Sequence, residues 1–190
     1  MKMLKKIVFR LYRKARDILF RLLSNQVPLG QLERVQAVQV MGEGIIVARG
    51  RVSIGCFPSP HFFSSYGYLE ARGKESRIEI GDNTKINNGF VAISESSSIS
   101  IGENCLIGTN VEIYDSDFHA LSAEVRQNTD THESISVLIG NNVFIGSNVR
   151  ILKGVTIGNG CVIANSSLVS RDVPDNCLAS GIPAKVVRKL

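Results

Sequence analysis

The chain has 190 residues, 44% hydrophobic and 6% aromatic with no Trp, and a formal net charge of +5 at pH 7. That is enough for one sizeable core, and the composition suits a core of Ile and Val. The basicity is local: residues 1–21 hold eight Lys or Arg against the single acid Asp17, a charge of +7, while the other 14 bases and 16 acids leave the body at −2, which excludes a general basic surface for nucleic acid.

Residues 1–24 read as a basic amphipathic helix. Leu4, Ile7, Val8, Leu11, Ala15, Ile18, Leu19 and Leu22 share one arc at 100° per residue, and the basic residues occupy the other arc with Phe9 and Phe20 among them. Charges cut every apolar run within a few residues, so neither a signal-peptide core nor a spanning helix is expected. Two readings stay open: the helix lies on an anionic membrane surface, or it docks on its own body or on a neighbouring subunit.

Residues 25–190 read as a repeat domain with a C-terminal tail. Ile139, Ile145, Ile151, Ile157, Ile163 and Val169 stand six apart, and the fifth place of each hexad is small or β-branched: Val143, Val149, Val155, Cys161, Ser167 and Val173. Neither a helix of period 3.6 nor a half-buried strand of period 2 repeats at six over such a span, so the class is all-β, a parallel β-helix of hexapeptides. Each hexad supplies a short strand and a corner, three hexads make a rung of about 18 residues, and the leading aliphatics stack inside a triangular prism. Gly, Asn or Asp after the aliphatic is expected to tolerate the tight corner.

The same register runs earlier with interruptions. Val40, Ile46 and Val52 give a weak run, Ile80 and Ile86 another, and Ile101, Ile107 and Ile113 a third, so the prism is expected over about residues 35–175. The step of 21 residues from Ile80 to Ile101 predicts a small bulge around Ser94 to Ser100. From Ile54 to Ile80, and again from Ile113 to Ile139, the gap is 26, eight more than a rung, which places loops near residues 56–76 and 115–137.

The four cysteines fit neither a disulfide framework nor a metal site. Cys105 and Cys161 fall on the buried fifth place, while Cys56 and Cys177 lack a partner at ligand spacing, which favours core packing and a reducing cytoplasm.

From Ile78 to Leu190, and above all in IGNNVFIGSNVRILKGVTIGNGCVIANSSLVSRDVP followed by ASGIPAKVVR, the sequence resembles the hexapeptide-repeat acetyltransferases that use acetyl-CoA. The similar branch includes the maltose and galactoside, the streptogramin and chloramphenicol, and the surface-polysaccharide O-acetyltransferases. The resemblance implies a left-handed coil, against the usual handedness of parallel crossovers. It also implies homotrimers with the site between adjacent prisms, and acetyl transfer in a ternary complex without an acyl-enzyme.

His119, in YDSDFH where the chain leaves the prism, matches the family's general base, with Asp117 or Asp115 as candidates to fix its tautomer. For the donor, acetyl-CoA, the resemblance implies Ser147 and Asn165 along the pantetheine arm, Arg171 and Arg188 at the CoA phosphates and Lys185 as a further cation. Phe144 and Asn165 depart from the galactoside-type pattern, which has an indole and an Ala at those places. No metal is expected: the fold's zinc carbonic anhydrases need a closely spaced histidine pair that His61, His119 and His132 do not offer. The expected acceptor is a hydroxyl of a sugar or polysaccharide precursor, made in the cytoplasm or at the inner membrane face. An N-acetyltransferase acting on a nucleotide-linked amino sugar and an antibiotic-modifying acetyltransferase are the alternatives. A non-catalytic scaffold would leave the DxDFH motif and the CoA-type C-terminus together unexplained.

Overall fold

The computed structural model describes residues 2–127 and 133–190. Helix α1 (Lys2–Leu22) precedes a prism of short parallel strands that runs from Leu29–Arg34 to Leu168–Val169 and is closed by the antiparallel hairpin Cys177–Gly181/Ala184–Lys189. The prism thus starts a few residues earlier than the hexad register suggests, because Leu29–Arg34, which carries no repeat, pairs alongside Ile45–Ile54.

Two of the three faces form one continuous sheet. Strand Ile45–Ile54 turns a corner at Gly50 and pairs with Arg77–Ile80 through its first half and with Lys85–Ile86 through its second. The third face is a separate six-stranded sheet containing Glu112–Tyr114, Arg150–Ile151 and Leu168–Val169. Inside, the expected aliphatics stack with no measurable or very little exposure, Ile145, Ile151, Ile157 and Ile163 being fully buried. Cys105 and Cys161 are also fully buried, with the thiols of both pushed above the ordinary value chiefly by desolvation, whereas Cys56 is exposed.

The corners divide their work differently from the sequence reading. The left-handed backbone sits at the fourth place of the hexad, in Asn142, Asn148, Gly154, Gly160 and Ser166. Glycine at the second place is there because the next rung's backbone crowds it: a Cβ on Gly146 would lie 2.3 Å from Asn165 Oδ1 and 2.7 Å from Asn165 N. Third-place side chains then tie rung to rung. Asp175 Oδ1 accepts the Asn159 N–H, Asn159 Oδ1 that of Asn141, and Asn141 Oδ1 that of Glu103, each at 2.8 Å. These bonds satisfy corner amides that the short strands leave unpaired.

The excursions are larger than the residue gaps suggested. Ile101 pairs with Ile139, Ile107 with Ile145 and Ile113 with Ile151, a constant separation of 38 residues and so 20 more than a rung of 18. The gap of 26 from Ile113 to Ile139 joins two different faces, which is why it understated the loop. The same holds earlier, where Ile54 pairs with Ile86 rather than Ile80. The bulge is where it was expected, as bends at 95–97 between strands Val91–Ser94 and Ser98–Ile101.

Helix α1 docks on the body, through the arc opposite to the aliphatic one. Phe9 stacks on Phe57 at 4.1 Å and near Phe62 at 5.6 Å, Tyr12 lies 5.4 Å from Phe63, and Phe20 lies 4.7 Å from Tyr66. Arg16 donates to the carbonyls of Phe63 and Ser65 at 3.1 and 3.0 Å. The first loop is held in turn by buried Gln36, which donates to the carbonyls of His61 and Ser65 and accepts the Gly89 N–H. His61 itself is exposed.

Candidate active site

The chain leaves the prism after Glu112–Tyr114 and returns to it at Val137–Ile139, so the corner between those faces carries the longest excursion. Its neck is pinned: the Asp115 carbonyl accepts the Ile135 N–H at 2.8 Å, and Ser116 bridges Ser134 antiparallel. Just outside the neck Phe118 is held at φ 63°, an unusual value for a bulky residue, and its N–H donates to Ser116 Oγ at 2.9 Å. The Phe118 ring stands edge-on to Tyr114 at 5.6 Å, with the Arg72 guanidinium 5.1 Å from its centroid. This turn presents His119, exposed, to a cavity of about 700 Å³ lined by Arg72, Tyr114, Asp117, Phe118, His119 and Leu152 among others, room enough for a sugar unit.

The two aspartates before the histidine have different surroundings. Asp115 is fully buried; its Oδ1 accepts the Glu95 N–H at 2.7 Å, and its Oδ2 accepts the Ser94 hydroxyl at 2.8 Å and the Ser97 N–H at 3.0 Å. It fastens the bulge at 95–97, with both oxygens taken by these donors. Asp117 is more exposed and pairs with Lys153 at 2.9 Å. Lys153 also donates to the Glu133 carbonyl at 3.1 Å, so one ammonium ties both limbs of the excursion to the prism. Among the described residues, no carboxylate is hydrogen-bonded to His119; His132 lies outside them.

Tyr114 and Lys153 were not anticipated, nor was Arg72. Lys153 did leave a sequence signal. The third place of the hexads is Asn or Ser at Asn141, Ser147, Asn159 and Asn165, but Lys153 and Arg171 on the corner that bears the excursion. Arg72 and Tyr114 come to the cavity from rungs on either side of strand Val91–Ser94 on one face, as Ala71 pairs with Ser94 and Ile93 with Tyr114, and only the rung register brings them together. Burial, and then the neighbouring Glu112, push the Tyr114 phenol up to about 12.

The expected donor residues fall on two corners. Ser147 and Asn165 share the corner after Ile145 and Ile163, where Asn165 Oδ1 accepts the Ser147 N–H at 2.8 Å and Ser147 Oγ accepts the Thr109 N–H at 3.2 Å. Their mutual bonds thus continue a structural ladder. The closing hairpin caps the same corner, Ala164 donating to the Ala179 carbonyl, and carries exposed Lys185 and Arg188 opposite Ser180 and Leu178. Arg171, also exposed, stands one rung beyond Lys153 on the corner of His119 instead. A further cavity of about 610 Å³, between Leu29–Arg34 and Arg51, Asn83 and Lys85, contains none of these residues.

Residues 136–171 match the family pattern described as bacterial transferase hexapeptide (six repeats), and residues 98–115 match the hexapeptide repeat of succinyl-transferase. A protein named for lipopolysaccharide biosynthesis O-acetyl transfer, WbbJ of Escherichia coli strain K12, is 34% identical over 137 residues, which is 68% of this chain and 69% of the relative. The chain belongs to the hexapeptide-repeat acetyltransferases. Within that family, the galactoside O-acetyltransferase of Escherichia coli strain K12 is 38% identical over 131 residues, covering 69% of this chain and 59% of the relative. A hexapeptide-repeat acetyltransferase of Vibrio cholerae O1 biovar eltor, solved with acetyl coenzyme A, superposes with a TM-score of 0.54 at 37% identity over 62% of each chain. The chain spans about three fifths of the length of these last two relatives. With the family comes its left-handed coil, so the handedness implied by the resemblance stands with the observed rungs.

Proposed function

We propose that the protein transfers the acetyl group of acetyl-CoA to a hydroxyl of a sugar or polysaccharide precursor, with His119 as general base. The observation that carries this reading is the presentation of His119 by a strained turn into a cavity of sugar size, at the mouth of the long excursion. Its support is the company the chain keeps, namely relatives named as galactoside and lipopolysaccharide-biosynthesis O-acetyltransferases and one solved with acetyl coenzyme A.

In this reaction the acceptor oxygen bonds to the thioester carbon as its proton passes to the His119 imidazole. The C–S bond breaks and the departing thiolate takes the proton back. Tyr114, kept protonated, is available as a hydrogen-bond donor in the cavity. Asp117 acts as a positioning residue through Lys153, which holds the excursion. The donor lies along the corner of Ser147 and Asn165, with Lys185 and Arg188 meeting phosphates and Arg171 a further cation on the base's side.

His119 and Ser147 occupy different corners of one prism, so this reading needs a second copy to complete each site. A homotrimer, in which each corner bearing His119 faces a neighbour's donor corner, meets that need with three equivalent sites. Thiol release from acetyl-CoA by the purified protein, measured against hydroxyl sugars, nucleotide-linked amino sugars and antibiotics, tests the proposal. Release driven by hydroxyl acceptors is expected; release driven only by amines or antibiotics, or by none of the panel, contradicts it.

A further inference from the structure

Docking through Phe9, Tyr12, Arg16 and Phe20 fixes the roll of α1. The consequence is a continuous aliphatic strip open to solvent: Leu4, Val8, Leu11, Ile18, Leu19 and Leu22 are 47–78% exposed. Six large aliphatics along one helix, all uncovered, exceed the scattered apolar exposure of an ordinary surface. Beside the strip lies a second feature. Arg10, Arg13 and Lys14 of the helix converge with Arg34 of the body on a groove of about 300 Å³ whose one lining acid is Asp17.

One oxygen of that acid is engaged, Asp17 Oδ2 with Arg21 at 2.9 Å, while its buried Oδ1 has no hydrogen-bond partner among the described residues and one carboxylate faces four cations. Arg34 is half-buried, donates to the Val38 carbonyl at 3.2 Å, and is held below its ordinary pKa first by burial and then by the charge of Arg21. Cations gathered in one groove with so little opposing charge repel one another until an anion joins them. An apolar strip bordered by such a groove matches the boundary between lipid headgroups and acyl chains.

We propose that α1 seats the protein on an anionic lipid bilayer, the aliphatic strip entering the headgroup–acyl boundary and lipid phosphates occupying the groove of Arg10, Arg13, Lys14 and Arg34. A second copy of this chain is the poorer occupant, because face-to-face contact of two such helices sets +7 against +7. Lying flat suits the helix: no described helix is long and apolar enough to cross a membrane. At 21 residues it extends roughly 31 Å, enough to span several headgroups. This inference concerns binding alone and does not depend on the chemistry at His119.

The test is co-sedimentation of the full chain with vesicles of phosphatidylcholine, and of phosphatidylcholine with phosphatidylglycerol, at low and high salt. Melting curves and solution mass are recorded in parallel. The protein is expected on phosphatidylglycerol vesicles, less so at high salt, and not on phosphatidylcholine. Leu11→Glu with Leu19→Glu should weaken binding by about tenfold or more, and Arg34→Gln by about fivefold, with both melting as the parent does. Val8→Trp provides a reading independent of those variants, its emission shifting to the blue on the anionic vesicles. Equal binding to both vesicle types, undiminished binding by the strip variant, or no shift of the Trp emission would overturn the proposal. A strip variant that instead lowers the solution mass would overturn it in favour of contact between copies.

Discussion

Asp115 and Asp117 stand two residues apart in YDSDFH and are opposites in setting. Asp115 is sealed in the prism with three donors on its two oxygens, and Asp117 meets Lys153 at the surface. In Asp115→Asn an amide group would replace one charged acceptor and face a donor. A stability loss of about 1.5–3 kcal/mol is expected in urea unfolding, and parent-like stability would contradict the assigned bonds. Tyr114 makes a second residue-level prediction. Its folded pKa of about 12 lies above the unfolded value of about 10, so its contribution to stability is whole below pH 10 and is lost as the pH rises through 12. Tyr68 is pushed up to about 12 as well, first by burial, so an ultraviolet titration should show late phenols, and Tyr114→Phe should remove one of them. An early, unshifted phenolate lost with Tyr114→Phe would contradict the burial argument.

The hexad explains much of what could be read from the sequence, and it also explains where that reading stopped. Spacing of six identifies inward residues because each strand is about two residues long and each corner turns the next strand onto a new face; Ile145 and Ile151 are therefore neighbours in sequence but belong to different faces. A gap between hexad runs does not say on which face the chain returns, and this is why Ile113 to Ile139 looked like a small excess while Ile101 and Ile139 are the true partners. The place of His119 at the break was legible from the motif in which it sits. The cavity around it was not, because Arg72, Tyr114 and Leu152 come from different rungs and no spacing within one hexad links them. The helix was legible as amphipathic, yet its docking arc was the aromatic and basic one, since the first loop supplies four aromatic rings for Phe9, Tyr12 and Phe20. At this scale Gly146→Ala is informative. A Cβ there meets the backbone and side chain of Asn165 in the next rung, so a loss of about 1–3 kcal/mol is expected by chemical denaturation, and a neutral result would contradict the close stacking of rungs at this corner.

For the molecule as a whole, a rigid prism sets the distance between corners, and the loops and helix decorate it. The corner with His119 and the corner with Ser147, Asn165 and the closing hairpin cannot meet within one chain without bending that prism. The proposed trimer should therefore show a light-scattering mass of about three times 20.7 kDa, and a monomer at working concentration would contradict a site shared between copies. The exposed strip of α1 lies outside this requirement, which leaves the helix available for a lipid surface while the prisms pair. The most direct test of the proposed chemistry is steady-state kinetics of His119→Ala with acetyl-CoA and the acceptor both varied. If His119 takes the acceptor proton in the transition state, kcat falls by about 10²–10⁴-fold while affinity for acetyl-CoA stays near that of the parent. Turnover equal to the parent's would contradict the assignment of His119 as the base.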